Sequence, residues 1–551
     1  MNQSVPFLSA TQATPVQTSR PVRSKTSLVH RAVHQRLRRL LAMFFFFITV
    51  PALGQEQLGA DIDGEARLDQ SGYSVSLSAD GRTVAIGARG NDGKGIEGSI
   101  SGHTRIFDWD GSAWSQRGAD IDGEANFDRS GHSVSLSADG NTVAIGAPFN
   151  EGNGTSSGHT RIFDWDGSAW SQRGADIDGE ARLDQSGYSV ALSANGNTVT
   201  MGARENEGNG SRSGHTRIFD WDGSAWRQRG ADIDSEAAGD QSGHSVALSA
   251  DSNTVAIGAR LNSGNRRWSG HTRIFDWDGS AWRQRGADID GEAFQDQSGY
   301  SVALSADGNT VAIGARDHGA YRNVTGSGHT RIFDWDGSSW SQRGADIDGA
   351  TEGDQSGYSV SLSADGNTVA IGARGNDGNG SFSGHTRIFD WDGTAWSQRD
   401  ADIDGEAGGD ESGYSVALSA DGNTVAIGAP LNDGNGFDSG HVRVYTYASG
   451  CGNPGQDPLA QIADLVAYIE QLNIAKGISN ALDVKLDAAA RALSDLNAQN
   501  DVAAINLMYA FCDNALAQSG KKLEPAEVEE LTCRADQIVA LLDPQAASCG
   551  G

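Results

Sequence analysis

The sequence has little proline, few cysteines, no long apolar run and a deficit of positive charge. Its 551 residues include 10 prolines and 4 cysteines. Because no apolar run approaches the roughly 20 residues that cross a bilayer, we expect no membrane span. Lys and Arg number 42 against 72 Asp and Glu, and the formal charge of −30 argues against a nucleic-acid partner. The fractions of charged and apolar residues, 21% and 37%, suit a folded globular chain.

Residues 1–54 are predicted to be a cleavable signal peptide. They contain no Asp or Glu, and Arg38 and Arg39 precede the apolar stretch 40–50. Pro51 ends this stretch, and the small residues Ala52 and Gly54 fit a signal peptidase site. Cleavage after Gly54 makes Gln55 the mature N-terminus and predicts a secreted or cell-surface protein. An uncleaved membrane anchor is the alternative, but the apolar stretch is short for a bilayer.

Residues 55–447 consist of seven copies of one unit. The motif GADIDGE, or a close variant, recurs every 56 to 59 residues, with its first aspartate at Asp61, Asp120, Asp176, Asp232, Asp288, Asp346 and Asp402. Each copy continues with a segment like SGYSVSLSADGNTVAIGA, a variable loop and a segment like SGHTRIFDWDGSAWSQR. Short β-branched runs between Asp-Gly pairs predict four strands per copy. A two-residue turn at Asp110-Gly111 would place Phe107 opposite Trp114.

Seven four-stranded units predict an all-β, seven-bladed propeller rather than a linear solenoid. The seventh copy ends at HVRVYTY without its last strand, whereas the first copy is preceded by an unmatched QEQLGADID segment. We therefore expect the N-terminal strand to complete the last blade. Such closure leaves no exposed sheet edge.

The repeats resemble the FG-GAP repeats of integrin α-subunit propellers and their bacterial relatives. The resemblance is carried by GYSV, by AIGAP at 144–148 and 426–430, and by SGHVRVY at 439–445. It implies that the first strand of each blade lines the axis and the fourth is outermost. Family members that bind calcium carry a D-x-D-x-D-G loop between the first two strands, and the SADGNT turn is too short for that site. Five copies also read GAR where the family has GAP.

A second calcium hypothesis concerns the acidic motif between copies. Carboxylates around a glycine turn are ligands that a hard cation prefers. The candidate ligands are Asp61, Asp63, Asp120, Asp122, Asp176 and Asp178, with counterparts in the other copies. Turn chemistry, in which aspartates bind their own backbone, is the favoured interpretation because the motif lacks a third acid and a terminal bidentate acid. No cofactor is firmly predicted, and calcium is the one considered.

Histidines recur once per copy at the start of the third strand, as His103, His159, His215, His271, His329, His385 and His441. Sevenfold recurrence indicates packing between blades, since catalysis needs one asymmetric constellation. His318 is the exception, alone in a long loop, and is interpreted as a solvated side chain.

The loops that follow AIGA differ between copies and are predicted to share one propeller face with the DIDGE motifs. Variable loops on a rigid ring are common recognition sites. The candidate ligand contacts are Arg266, Arg267, Trp268, Tyr321 and Arg322, because buried aromatic and arginine side chains dominate binding energies. Drift of unconstrained loops explains the same variation.

The C-terminal part is predicted to be a turn-rich linker, 448–458, and a small all-α four-helix bundle, 459–551. Apolar residues recur at helical spacing in four segments, the third with Ile505, Tyr509, Cys512 and Leu516 on one face. The segments GISNALDVKLDAAARAL and AAINLMYAFCDNALAQSGKKLEPAEVEEL resemble the FIMAH-type helical module of secreted bacterial proteins, which implies export and no chemistry.

All four cysteines, Cys451, Cys512, Cys533 and Cys549, lie in or beside this predicted bundle. An exported protein favours two disulfides over free thiols, and we expect Cys512–Cys533 with Cys451–Cys549 among the three pairings. A structural zinc site is less favoured, because no two cysteines form a close C-x-x-C pair.

The predicted function is that of an exported, non-catalytic scaffold or adhesion-type protein. It would bind an extracellular protein or glycan through the propeller loops, with its oligomeric state left open. One alternative is a propeller enzyme, a hydrolase or lyase, although no acid–base set is unique to one copy. The other is a purely structural cell-surface protein without a specific ligand.

Overall fold

A computed structural model describes residues 55–93, 98–319, 326–447 and 498–518, together with single residues between 462 and 539. The predicted signal peptide and the linker 448–458 lie outside these described residues.

The propeller consists of seven antiparallel sheets, each with four main strands. The first strands contact one another around the axis, and they are β3 (Ser71–Leu77), β8 (Ser133–Leu136), β13 (Ser186–Leu192), β18 (Ser242–Leu248), β23 (Ser301–Leu304), β28 (Ser359–Leu362) and β33 (Ser415–Leu418). The second strands are β4 (Thr83–Ala88), β9 (Thr142–Ala147), β14 (Thr198–Ala203), β19 (Thr254–Ala259), β24 (Thr310–Ala315), β29 (Thr368–Ala373) and β34 (Thr424–Ala429). The third strands are β5 (His103–Trp109), β10 (His159–Trp165), β15 (His215–Trp221), β20 (His271–Trp277), β25 (His329–Trp335), β30 (His385–Trp391) and β35 (His441–Tyr447).

The outermost strands have three residues each, and they are β1 (Gln55–Gln57), β6 (Trp114–Gln116), β11 (Trp170–Gln172), β16 (Trp226–Gln228), β21 (Trp282–Gln284), β26 (Trp340–Gln342) and β31 (Trp396–Gln398). Seven further strands of two residues occupy the acidic motifs, as β2 (Ile62–Asp63), β7 (Ile121–Asp122), β12 (Ile177–Asp178), β17 (Ile233–Asp234), β22 (Ile289–Asp290), β27 (Ile347–Asp348) and β32 (Ile403–Asp404). Each of these short strands pairs with the start of the third strand of the blade that the chain is leaving. The sequence pattern did not predict them.

The predicted closure of the ring is confirmed. Strand β1 pairs antiparallel with β35, with Gln55 opposite Tyr447 and Gln57 opposite Tyr445. The hydroxyl of Ser415 donates a hydrogen bond of 2.8 Å to the carbonyl of Gly72, which joins the last blade to the first. The seven-bladed propeller is therefore closed by its N-terminal strand, as expected.

The two faces of the propeller differ in their connections. On the turn face lie the tight turns between first and second strands and between third and fourth strands. Backbone hydrogen bonds of 2.8–3.2 Å link the first set of turns in a closed circle, from Ala79 to Ala138, Ala194, Ala250, Ala306, Ala364, Ala420 and back to Ala79. On the loop face lie the variable loops and the acidic motifs, which hydrogen bond to each other, as Phe127 N–H does to the carbonyl of Ser99.

The predicted two-residue turn at Asp110-Gly111 is wrong. Trp109 lies opposite Trp114, and Phe107 lies opposite Gln116, so the turn contains four residues. The Asp110 carboxylate explains the longer turn, because it accepts hydrogen bonds of 2.8 Å from the backbone N–H groups of both Ser112 and Ala113. The two tryptophans still meet, with ring centroids 5.5 Å apart.

Apolar side chains fill the space between neighbouring blades. Ala85 and Ile106 of the first blade pack against Val134, Leu136 and Ile145 of the second. In six of the blades the tryptophan of the outermost strand also forms a hydrogen bond to the neighbouring blade or linker, as the Trp170 indole N–H does by donating to the carbonyl of Arg117 at 2.8 Å. Each blade thus depends on both neighbours.

Of the predicted four-helix bundle, the structure describes one helix, α1 (Ala498–Leu516). Its buried face differs from the prediction, since Met508, Phe511 and Ala515 are fully buried whereas Leu516 is 42% exposed. Cys512 is buried in the apolar core around α1. The other three cysteines and most of the remaining predicted helices lie outside the described residues. The bundle and its disulfides stay predictions.

Candidate functional site

Exposed apolar side chains are concentrated on the loop face. Among the described propeller residues, the exposed large apolar side chains are Leu68, Phe127, Leu183, Phe294, Phe382 and Phe437. All of them belong to variable loops or to the segments that follow the acidic motifs. The turn face instead repeats nearly the same polar turn in each copy. Apolar groups clustered on one face of a soluble fold are typical of an interaction surface.

Seven aromatic side chains form a closed ring around the axis near the loop face, which we call the axial ring. Its members are Tyr73, His132, Tyr188, His244, Tyr300, Tyr358 and Tyr414, and neighbouring ring centroids are 4.5–5.2 Å apart. Each copy contributes the residue that follows Ser-Gly at the start of its first strand. Tilted contacts at this distance are favourable between aromatic rings.

Burial favours the uncharged forms of both histidines and of two tyrosines in the axial ring. Burial holds the pKa of His132 well below its usual value, and the nearby Arg89 and Arg204 lower it further. Burial likewise lowers the pKa of His244, with Arg260 as the next cause. Burial raises the pKa of Tyr358 and Tyr414 well above the usual value. The ring therefore forms a neutral aromatic surface beneath the charged groups of the loop face.

Six partly exposed arginines surround the axial ring, and we call them the axial arginines: Arg89, Arg129, Arg204, Arg260, Arg316 and Arg374. Five of them are the arginines of the GAR motifs, and their guanidinium groups lie over tyrosines of the axial ring. Arg89 is the closest, 3.6 Å from the Tyr73 centroid. Three acids lie among them, Glu205, Asp317 and Glu411, and bind Gln241, Gln297 and Arg374 respectively. The mouth of the axis thus carries surplus positive charge on a chain that is strongly acidic.

Arg129 is the exception among the axial arginines, because it occupies the position where five other copies have glutamine. Among the described residues its side chain makes no hydrogen bond or ion pair, and it lies over Phe149 at 4.8 Å from the centroid. Burial and the neighbouring Arg89 lower its pKa. A nearby negative charge would stabilise a cation that lies beside another cation.

A cavity of about 400 Å³ opens beside Arg129 on the loop face. Three arginines, Arg67, Arg89 and Arg129, line it together with one acid, Asp92, and the apolar side chains of Leu68 and Ile100. Cavities of this size that combine apolar walls with a few charged groups are typical ligand sites.

The ligand contacts predicted from the variable loops are only partly described. The Arg267 guanidinium lies 4.1 Å from the ring centroid of its neighbour Trp268. Arg266 is exposed, whereas Trp268 is partly buried. Tyr321 and Arg322 lie outside the described residues.

The acidic motifs are brought together with the recurrent histidines, in what we call the seam clusters. In the first blade, His103 Nδ1 lies 4.0 Å from Asp120 Oδ2 and 3.9 Å from Glu65 Oε2. The glutamate belongs to the linker that enters the blade, and the aspartate to the linker that leaves it. Equivalent clusters contain His159 with Asp176 and Glu124, His215 with Asp232 and Glu180, and His441 with Asp61 and Glu406.

The two aspartates of each motif have different surroundings. Asp61, Asp120 and Asp176 face a histidine, at 3.5, 4.0 and 3.6 Å respectively. The second aspartates, Asp63, Asp122 and Asp178, form no ion pair with these histidines among the described residues. Their backbone carbonyls accept hydrogen bonds of 2.6 Å from arginines of the next blade, from Arg105 to Asp63, from Arg161 to Asp122 and from Arg217 to Asp178.

His318 is not a solvated side chain, contrary to the sequence interpretation. Its ring stacks on His329 at a centroid distance of 3.9 Å, and its Nδ1 lies 3.3 Å from Asp296 Oδ1. The Asp296 carboxylate beside the ring raises the pKa of His318 above its usual value, against the effect of burial. The fifth seam cluster therefore differs from the others by an additional imidazole.

Sequence reasoning missed both the axial arginines and the seam clusters. The GAR motifs and the single Arg129 were visible as departures between copies, but the chain alone does not place them around one axis. The ligands of a seam cluster come from widely separated positions, such as Glu65, His103 and Asp120. The sevenfold recurrence that suggested packing also concealed their proximity to carboxylates.

The comparisons with known proteins agree with the fold. The sequence profile of the FG-GAP repeat matches residues 402–445, within the seventh copy. No curated protein matches the chain. The chain is thus a seven-bladed β-propeller whose last blade carries a recognisable FG-GAP repeat.

Two solved structures resemble the chain weakly. A putative 6-phosphogluconolactonase from Bacteroides uniformis is 14% identical, with 61% of this chain and 87% of that chain covered and a TM-score of 0.44. The periplasmic gluconolactonase of Pseudomonas aeruginosa is 15% identical, with 61% and 85% covered and a TM-score of 0.41. These values are too low to transfer an activity. Within the part of the chain that the structure describes, no helix is long and apolar enough to cross a membrane.

Proposed function

We propose that this protein is an exported, non-catalytic scaffold that binds an extracellular protein or glycan through the loop face of its propeller. The observation that carries the proposal is the asymmetry between the faces. Exposed apolar side chains and surplus arginines gather on the loop face, whereas the turn face repeats one polar turn. A face selected only for solubility would not collect both kinds of group.

An anionic ligand fits this face best, and an acidic glycan is the class that we favour. Planar guanidinium groups bind carboxylates and sulfates through paired hydrogen bonds. Arg129 supplies a guanidinium without an internal partner, and Leu68 and Ile100 supply apolar contacts in the same cavity. The net charge of −30 makes such a local positive site selective, because the rest of the surface repels anions.

The test is a binding screen of acidic and neutral polysaccharides with the parent protein and Arg129→Gln. Glutamine occupies this position in five other copies, so the variant should fold normally. We expect its affinity for an acidic polysaccharide to fall about tenfold, as for the loss of one charged hydrogen bond. Added salt should weaken the parent's binding, since the interaction is partly screened.

Arg227→Gln is the matched control, because Arg227 is an exposed arginine on the outermost strand that pairs with Asp222 at 2.9 Å. This variant should bind like the parent. Exclusive binding of neutral ligands, or equal binding by the Arg129 variant, would contradict the proposal. Release of shortened sugar products during binding would instead favour the propeller-enzyme alternative.

The C-terminal residues 459–551 are proposed to form the FIMAH-type helical bundle with two disulfides. The apolar core around α1, which includes Leu465, Leu486 and Leu531, supports a packed helical unit. We assign it no ligand. Peptide mapping without reduction would test the pairings Cys512–Cys533 and Cys451–Cys549.

A further inference from the structure

The seam clusters combine ligand types that bind transition metals. Each complete cluster offers one imidazole nitrogen and two carboxylate oxygens, at nitrogen–oxygen distances of 3.5–4.0 Å. Two ligand atoms on a tetrahedral zinc ion lie about 3.4 Å apart, given metal–ligand bonds of roughly 2.1 Å. Side-chain movements of a few tenths of an ångström would therefore close the cluster around an ion.

The histidines are buried, and in three of the seam clusters the nitrogen that faces the carboxylates has no hydrogen-bond partner among the described residues. The side chain of His159 is 1% exposed, and neither of its ring nitrogens has a hydrogen-bond partner among the described residues. The same holds for His329 and His385. A buried polar atom without a partner is costly, and an ion at Nδ1 would remove that cost.

The glutamates are held in place by a second interaction. In the first blade Glu65 Oε2 faces His103, while its other oxygen, Oε1, lies 3.9 Å from Arg105 Nη1. Glu124 and Glu180 divide their oxygens between histidine and arginine in the same way. Such outer partners orient metal ligands.

An ion can reach the clusters from solvent. The carboxylate side chains are partly exposed, 45% for Glu65 and 33% for Asp120, although the histidine beneath them is buried. Asp176 and Asp232 line open cavities of about 260 and 210 Å³.

We propose that the seam clusters bind divalent transition-metal ions through one histidine, one aspartate and one glutamate each. This inference is independent of the glycan-binding proposal. Mixed nitrogen and oxygen ligands favour zinc-like ions over calcium, which prefers oxygen alone. Because the glutamate enters from the previous linker, each ion joins that linker to the body of the next blade.

The sixth blade is an internal control. His385 and Asp402 are present at 3.2 Å, but Ala350 occupies the position of the glutamate. We expect this cluster to bind weakly or not at all. Ala350 is exposed, so Ala350→Glu can add the missing ligand without disturbing the core.

The experiment is a calorimetric titration of the tag-free full chain, treated with chelator, using Zn²⁺ alone and Ca²⁺ alone. We expect about four to six saturable zinc sites, tighter than any calcium binding, and a higher melting temperature with zinc. The double variant Glu124→Gln/Glu180→Gln should lose two sites, whereas Ala350→Glu should gain one. Co²⁺ should give a visible absorption spectrum with nitrogen ligation that is reduced in the double variant.

Glu151→Gln is the matched control, since Glu151 is an exposed loop-face acid that is not part of a seam cluster. It should leave the number of zinc sites unchanged. Absence of saturable zinc binding would overturn the proposal. So would a number of sites that neither the double variant nor Ala350→Glu alters, because the ions would then be bound elsewhere.

Discussion

At the scale of single residues, the axial ring contains two histidine substitutions that reduce the stability of the fold in acid. Five copies contribute tyrosine, whereas the second and fourth copies contribute His132 and His244. Both histidines have pKa values held well below the usual range, mainly by burial. As the pH falls below about 6.5, these histidines become protonated in the unfolded chain but stay neutral in the folded ring. Stability is therefore lost on acidification, whereas a tyrosine would not change charge.

The double variant His132→Tyr/His244→Tyr should remove this part of the acid sensitivity. The replacement is the residue of the other copies, where tyrosine pairs such as Tyr300 and Tyr358 already pack at 4.9 Å. At pH 5 we expect the parent to lose about 2 kcal/mol per histidine relative to the variant. Chemical denaturation at pH 7.5 and pH 5 measures the difference. An equal loss of stability in both proteins would show that these histidines are protonated in the fold.

At the scale of secondary-structure elements, the closing strand β1 explains an isolated change in the last copy. Six copies have glycine two positions before the first aspartate of the acidic motif, whereas the seventh copy has Asp400 there. At Gly118 a Cβ atom would lie 2.7 Å from the Trp165 ring, and φ is +77°. The last blade has Tyr447 in place of that tryptophan, which leaves room for an aspartate. Asp400 Oδ2 accepts a hydrogen bond of 3.0 Å from the backbone N–H of Gln55.

Asp400→Gly should loosen β1 without affecting the other blades. We expect the strand to lose about 1 kcal/mol of protection against local opening, the typical contribution of one hydrogen bond. Hydrogen exchange of the amides in Gln55–Gln57 measures it, with β11 as the internal reference. Gly118→Asp is the contrasting variant and should destabilise the fold through the clash with Trp165. Unchanged exchange in β1 would show that Asp400 does not hold the strand.

The elements themselves were largely predictable, and their contacts were not. Repetition with turn signals determines blade number, strand order and closure, because each copy repeats the same local chemistry. The four-residue turn at Asp110 was missed because a carboxylate that binds two backbone N–H groups overrides the Asp-Gly preference. The buried face of α1 was predicted at the wrong position, because an alanine- and leucine-rich helix has apolar residues on more than one side. Seam clusters and axial arginines depend on tertiary placement, which one sequence does not encode locally.

At the scale of the whole molecule, the two faces should respond differently to exchange between copies. The loops containing Trp268 and Asp438 have the same length and the same left-handed backbone at these two positions, with φ of 57° and 52°. Replacing Arg266, Arg267 and Trp268 by the Gly, Phe and Asp of the seventh copy should therefore preserve the fold. We expect weaker binding of the same polysaccharides, because two cationic groups are lost from the loop face and one acidic group is added, while phenylalanine replaces arginine and the tryptophan is removed.

Exchanging turn-face residues tests the other half of this expectation. Arg82→Asn gives the first turn the residue that the other copies carry after their Asp-Gly, Asn-Gly or Asp-Ser pair. Binding should not change, since this turn faces away from the variable loops. If both exchanges leave the binding curve unchanged, recognition lies outside the variable loop of the fourth copy.

Strand β1 has a consequence for how many repeats the ring can hold. It pairs with the third strand of the last copy, and every copy has such a strand, so inserting or excising one complete repeat would leave the closing pair intact. The pairing that closes the ring therefore does not determine the number of blades. The axial ring does, because its seven side chains already touch at 4.5–5.2 Å around a single circle. An eighth member would widen the circle and open its centre, and a sixfold ring would crowd it, so the copy number is set at the axis.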